Sequence, residues 1–217
     1  MTIATFTIDG VSHFQRFYYE NSPTQQSWAT KHDGTVADGF NDSLSNINIL
    51  VRSNGTFDWI YRAFLQFNTS SLSGVTLLSA RLVGQYDGDL DANWVGTPQA
   101  CIYTFTPVLP VTGLTNWVNF GTTQKSNVIS LAVGTWSDEP YVMTLNDLTL
   151  INQSGNTYLG LRSLYDADNS APGTPAVTSQ MQWALAGGTT YLEVTYTAIS
   201  VTTDPATNIT KVSAQLN

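Results

Sequence analysis

One cysteine, Cys101, stands in a chain of 217 residues. That excludes an intramolecular disulfide and any multi-cysteine zinc site, and between Ala100 and Ile102 the thiol reads as a small core residue. Charge is also scarce, at 11% of residues, with 8 Lys and Arg against 16 Asp and Glu and a formal net charge of -8. The basic residues are scattered from Arg16 to Lys211 with no run that follows a phosphate backbone, which excludes nucleic acid and anionic membrane as expected partners. Glutamate occurs only at Glu20, Glu139 and Glu193, a poverty that disfavours surface helices. No apolar run approaches the ~20 residues of a membrane-spanning helix, so no membrane insertion is expected. The opening MTIATFTIDG has neither the basic start nor the apolar stretch of a secretory signal. Either a leader has been removed or the protein is released without secretion, and Met1 followed directly by strand-forming residues favours the second expectation.

Catalytic groups are equally sparse. His13 and His32 are the only histidines, and neither stands with a serine or cysteine in a nucleophile setting such as Gly-x-Ser-x-Gly. A glycosidase needs two carboxylates converging on one bond, and the scarcity of glutamate argues against such a pair. The expectation is a non-enzyme.

Thr, Ser, Asn and Gly are abundant, and period-two alternation is the dominant pattern. In 61–67, Ala63, Leu65 and Phe67 share one face while Arg62, Phe64 and Gln66 share the other. In 78–86, Leu78, Ala80, Leu82 and Gly84 alternate with Ser79, Arg81, Val83 and Gln85. In 191–196, Leu192, Val194 and Tyr196 oppose Tyr191, Glu193 and Thr195. Shorter candidate strands lie at 5–8, 47–51, 100–105, 128–133, 141–145 and 157–163, each bounded by Gly, Pro, Asn or Asp. These spacings predict an all-β, antiparallel β-sandwich in one domain, 1–197, followed by a polar, Thr-rich tail, 198–217, with a break at Asp204-Pro205. The tail reads either as a last strand or as an arm that orders against a partner. At most one short helix is expected, at 146–153, with Asn146 as its cap and Gly155 ending the turn. Segments 21–42 and 166–178 read as long loops.

The segment YRAFLQFNTSSLSGVTLLSARLVGQYDG (61–88) resembles the opening of the DNRLRE-type domain. The matching residues are Arg62 to Phe67, then Asn68, Ser70, Ser71 and Leu72, then Ala80 to Leu82. ACIYTFTPV (100–108), NQSGNTYLGLRSL (152–164) and SQMQWALAGGTTYLEVTY (179–196) are similar to later parts of the same pattern, in order, so the likeness covers about 40–196. The short motif that names the family is absent. The resemblance implies a jelly-roll-like sandwich of the carbohydrate-binding-module kind. It also implies a non-catalytic role, as in modules of large secreted or surface proteins and in tail and surface proteins of bacteriophages.

Two constellations are candidates for ligands. Asp87, Asp89, Asp91 and Asn93 alternate in YDGDLDANW as calcium-binding oxygens do, but an EF-hand loop needs Gly and Glu where this chain has Ala92 and Pro98. Two readings follow: solvated turn residues, or a looser structural calcium site joining Asp87 or Asp89 to Asp166 and Asp168. For sugar binding, Trp28, Trp94 and Trp136 sit in polar, loop-like contexts, with Tyr18, Tyr19 and Asp91 as helpers, and the alternative for each tryptophan is packing. Trp59, Trp117 and Trp183 are assigned to the core. The combined expectation is a bacteriophage virion component, on tail or capsid surface, that forms a homo-oligomer, assembles with other virion proteins and contacts host glycans. The alternative is a carbohydrate-binding module excised from a larger secreted protein.

Overall fold

The computed structural model of the chain describes residues 1–8, 14–20, 28–37, 39–41, 46–53, 57–86, 99–108, 114–130, 140–170, 178–184, 190–204 and 209–214. Among these residues the fold is an antiparallel β-sandwich, as the alternation predicts. Its strands are β1 (Thr2–Thr7), β2 (Phe14–Glu20), β3 (Gly39–Asn41), β4 (Asn46–Ser53), β5 (Phe57–Asn68), β6 (Thr76–Tyr86), β7 (Gln99–Phe105) and β8 (Phe120–Gln124). They continue with β9 (Ile129–Ser130), β10 (Tyr141–Thr144), β11 (Asn156–Ser163), β12 (Thr178–Ala184) and β13 (Tyr191–Thr197), and close with β14 (Ile199–Asp204) and β15 (Ile209–Ala214).

The smaller sheet runs β10-β6-β13-β1. The larger runs β12-β4-β5-β11-β7-β8, and the two join at one corner where Trp183 and Ala184 of β12 pair with Tyr86 and Gln85 of β6. β5 is the axis of the larger sheet. Its residues Trp59 to Leu65 pair with β2 along one edge, while the other edge is shared by β4 near Tyr61 and by β11 from Ala63 onward.

Between the sheets lies one apolar core. Ala63, Leu65 and Phe67 of β5 meet Leu159 and Leu161 of β11, Ala100 and Ile102 of β7, Ala80 and Leu82 of β6, and Leu192 and Val194 of β13. Each fully buried Leu or Phe in such a core contributes ~1.5–3 kcal/mol relative to exposure. The expected alternation fails at Leu78. β6 skips a residue between Leu77, opposite Tyr196, and Ser79, opposite Thr195, so Leu78 is the extra residue of a bulge. Leu77 packs on the core in its place and Leu78 is 40% exposed.

The helical content exceeds the single helix expected. Inside the predicted loop 21–42 lie a short α1 (Trp28–His32) and β3, and the predicted loop from Asp166 begins within α2 (Leu164–Ala167). Short 3-10 segments occupy Ser70–Leu72, Leu114–Asn119 and Leu148–Leu150. The last falls where a helix was expected, but Asp147 rather than Asn146 caps it, accepting from the Thr149 amide at 3.0 Å. Asp147 also accepts from Lys125 Nζ at 2.6 Å. These contacts, that from Lys125 foremost, hold its carboxyl down to about 2.

The sequence pattern around Asn68 is a connected piece of architecture. Asn68 Oδ1 accepts from the Ser70 amide and hydroxyl, Leu72 drops into the core, and Thr69 Oγ1 bonds the carbonyls of Asn152 and Gly155 and the hydroxyl of Thr157. Gln153 Nε2 returns to the carbonyls of Leu72 and Val75. The two turns are thereby locked side by side.

The outward face of the larger sheet is roofed as well. Val51, Ile60, Phe64, Phe105 and Phe120 form a second cluster there with Trp28, Ala37 and Trp117. Phe64 stacks on Phe105 at 4.4 Å between ring centroids, and Phe105 on Phe120 at 4.5 Å. Gly160 of β11 makes this stack fit. A Cβ there would lie 3.0 Å from Phe120 Cδ1 and 3.2 Å from Phe105 Cβ. Gly160→Ala is therefore expected to destabilise the chain by about 1–3 kcal/mol through overpacking, read as a lower urea midpoint; an unchanged midpoint would show that the stack yields freely.

Candidate functional site

The roofed face holds two arginines and an aspartate with almost no exposed surface. Arg62 is 4% exposed, Arg162 2% and Asp166 0%. Strand alternation brings them together. Arg62 stands between Ile60 and Phe64 on the outward face of β5, Arg162 stands on the same face of β11, and α2 starts soon enough to return Asp166 four residues after Arg162.

Taking three ions out of water costs several kcal/mol each, which is repaid only if every donor and acceptor finds a partner. Here the pairing is dense. Arg62 grips the carboxylate with two bonds, Nη2 to Oδ1 at 2.7 Å and Nε to Oδ2 at 2.8 Å. Its Nη1 donates to the Trp117 carbonyl at 2.8 Å, and the guanidinium lies 3.8 Å over the Trp117 ring. Arg162 donates from Nε to Asp166 Oδ2 at 2.7 Å, from Nη2 to the Asp166 carbonyl at 2.9 Å and from Nη1 to the Gly121 carbonyl at 2.8 Å. His32 of α1 reaches the same Asp166 carbonyl with Nε2 at 2.7 Å, and since a carbonyl only accepts, that nitrogen carries the hydrogen.

Burial alone would raise the Asp166 carboxyl and lower Arg62. For Asp166 the charges of Arg62 and then Arg162, with hydrogen bonds from both, outweigh burial and hold it well below the usual carboxylate range. Both carboxylate oxygens are occupied by guanidinium groups. The cluster therefore acts as a clamp on β5, β11, α1, α2 and the turn at Trp117.

A groove of about 390 Å³ opens where β7 and β11 meet the turn after Asp147. Thr104, Thr106, Leu150, Asn152, Asn156 and Tyr158 line much of it, and among the described residues no charged one does. Tyr158 packs beside Phe64 at 6.4 Å between centroids and is half-buried. Its hydroxyl, the Asn156 carboxamide and the Thr106 hydroxyl make no hydrogen bond to another described residue.

The residues singled out from sequence fall in different places. Trp28 is 9% exposed; its indole N–H donates to Asn169 Oδ1 at 2.7 Å and its ring stacks on His32. It is a packing residue of the roof rather than an open platform, because α1 lays it on the sheet. Tyr18 and Tyr19 lie in β2, opposite Tyr61 and Ile60 of β5. Asp166 faces inward to the two arginines, whereas Asp168 is exposed and lines a hollow of about 140 Å³ with Gln99, Leu164, Tyr165 and Ser170. The two carboxylates thus separate instead of converging, because the turn of α2 puts them on opposite sides. Trp94, Trp136, Asp87, Asp89, Asp91 and His13 lie outside the described residues. Trp117 is fully buried, as assigned, and Trp59 and Trp183 lie in β5 and β12. Cys101 is buried with Sγ 3.2 Å from Ser126 Oγ, and burial pushes its thiol up, which suits a packing role.

Compared with family models, with curated proteins and with solved structures, the chain matches none.

Asp166→Asn leaves two buried guanidinium groups against a neutral amide and is expected to cost about 3–5 kcal/mol at neutral pH. The folded carboxyl is depressed, so its contribution is fully present above the unfolded value of ~3.9 and is lost as pH falls toward the folded one. Urea midpoints of the two proteins should therefore converge below about pH 4. A gap that stays constant there would mean that the carboxylate charge is not what Arg62 and Arg162 need.

Proposed function

We propose that the chain is a non-catalytic structural protein of a bacteriophage particle, a component of tail or capsid surface that assembles with copies of itself and with other virion proteins. The same reading takes the sandwich to be of the jelly-roll kind. The observation that carries the assembly role is the C-terminal hairpin. β14 and β15 pair residue for residue from Ile199 opposite Ala214 to Asp204 opposite Ile209, and among the described residues they form a sheet of their own.

A two-stranded hairpin alone in water is marginal. The register puts Ile199, Val201, Thr203, Thr210, Val212 and Ala214 at positions of one face, and Ser200, Thr202, Asp204, Ile209, Lys211 and Ser213 at positions of the other. Such a pattern is that of a β-ribbon covered on one side, and we assign the cover to a neighbouring subunit. The resemblance over 40–196 and the scarcity of charge on the strands agree with a surface made for packing. The charge clamp agrees as well, since it stiffens the sheet. Light scattering on the chain with and without residues 199–217 tests this. The full chain should have a mass of several subunits and the shortened one a smaller mass; a full chain that is monomeric at micromolar concentration overturns the assembly reading.

One observation favours carbohydrate binding as a second reading, in the virion or as a module of a secreted protein. The groove at Tyr158 offers an aromatic face beside uncommitted hydroxyl and carboxamide groups, and its uncharged lining suits a neutral sugar. On this reading Tyr158→Ala weakens retention on neutral glycan arrays by about tenfold while leaving subunit mass unchanged. Equal retention by the variant would remove the groove from consideration.

A further inference from the structure

The two outer edges of the smaller sheet are treated differently. At the β10 edge, the segment 125–127 covers the strand. Asn127 Oδ1 accepts from the Thr144 amide at 2.6 Å, Asn127 Nδ2 donates to the Val142 carbonyl at 3.3 Å and the Asn127 amide donates to the Thr144 carbonyl at 3.2 Å. Ser126 adds a bridge to Leu145. At the other edge, β1 pairs with β13 from Thr2 opposite Tyr196 to Thr7 opposite Tyr191, and no other described strand pairs with it.

Sheet edges in monomeric proteins are usually blunted by charge, proline, a bulge or a covering segment. β1 reads TIATFT, six residues rich in β-formers with none of these devices in the strand. Its outer positions Thr2, Ile3, Thr5 and Thr7 are exposed, Ile3 by 61%. Leu78, put outward by the β6 bulge and 40% exposed, lies two strands in from this edge, with β13 between.

We infer that the outer edge of β1, which pairs with no other described strand, pairs antiparallel with β1 of a second copy of this chain, extending two four-stranded sheets into one of eight. The inference rests on the assembly reading above and adds a contact distinct from the hairpin. Charge selects the occupant. The chain carries a net charge of -8, yet residues 1–8 contain none of its 16 acidic or 8 basic side chains. Two copies that repel elsewhere can meet here without like charges opposed, whereas a strongly charged partner would find nothing on this edge to pair with. Pairing of a strand with itself also closes on a two-fold axis, as stable homodimers do. Parity narrows the register. Residues directly opposite share a sheet face, so keeping Ile3, Thr5 and Thr7 outward in both copies places the axis at Ala4 or at Thr5. In either register Thr5 lies opposite or diagonal to Thr5 of the second copy.

Thr5 is exposed and outside the core, so neither Thr5→Lys, which faces Glu193 of β13, nor Thr5→Glu, which that carboxylate opposes, removes a core contact, and near-ultraviolet circular dichroism checks that both keep the monomer fold. In the full chain, either substitution alone is expected to lower the light-scattering mass by about half at a given concentration. Mixing the two variants should restore the mass at low salt and lose it again at high salt. If each variant keeps the mass of the unsubstituted chain while removal of 199–217 lowers it, the β1 contact is wrong and the assembly reading stands. If the unsubstituted chain is monomeric, both fall together. If the mass drops for both variants but mixing restores nothing, the edge takes part in assembly but not by pairing with itself, and the inference is overturned.

Discussion

Asp166, without exposed surface, is held by both of its oxygens between Arg62 and Arg162, and much of the molecule beyond the sandwich depends on that arrangement. The strands would form a two-layer fold from their apolar alternation alone. What covers the outward face of the larger sheet is different. α1, α2 and the turn at Trp117 are each too short to be stable by themselves. They are fixed because Arg62 reaches the Trp117 carbonyl, Arg162 the Gly121 carbonyl and His32 the Asp166 carbonyl. Buried ion pairs are a weak source of net stability, because desolvation consumes most of the attraction. Their effect here is on specificity: a bidentate arginine admits few geometries, so the roof has one position on the sheet.

The roof and the opposite face of the molecule point to different uses. The smaller sheet turns Thr5, Arg81 and Glu193 outward, with Arg81, 48% exposed, and Glu193, 16% exposed, paired across adjacent strands at 2.7 Å. The pair is bidentate and lies on the face of the sheet, not on the backbone edge of β1. On the larger sheet the aromatic stack of Phe64, Phe105 and Phe120 ends at Tyr158, where the groove begins. Assembly along one sheet and ligand contact on the other would not compete for the same surface.

How much could be read from the sequence depended on range. Ala63, Leu65 and Phe67 were legible as one face because period two is a local property, and so were Leu192 and Val194. Leu78 was misplaced because a bulge is set by the pairing of β6 with β13 and leaves no mark in the strand's own composition. Trp28 looked like a loop tryptophan amid polar neighbours, and the partner that buries it, Asn169, lies 141 residues away. Asp166 looked like a loop ligand for the same reason. The available signal was the pair of arginines themselves: in a chain with so few basic residues, Arg62 and Arg162 both stand inside predicted strands, where a charge needs a partner. The pattern from Asn68 to Leu72 and the turn at Gly155 were visible separately, but the Thr69 bonds that join them were not.

By itself the sequence determined the class of structure: an antiparallel sandwich without disulfides, whose strands follow from alternation and whose turns follow from Gly, Pro, Asn and Asp. Only the tertiary structure decided which charges are buried, which aromatic rings remain accessible and which strand is left at an open edge. Those outcomes depend on contacts between residues far apart in the chain. The free energy of a buried charge or an unpaired edge depends on what packs beside it, and no local pattern encodes that neighbour.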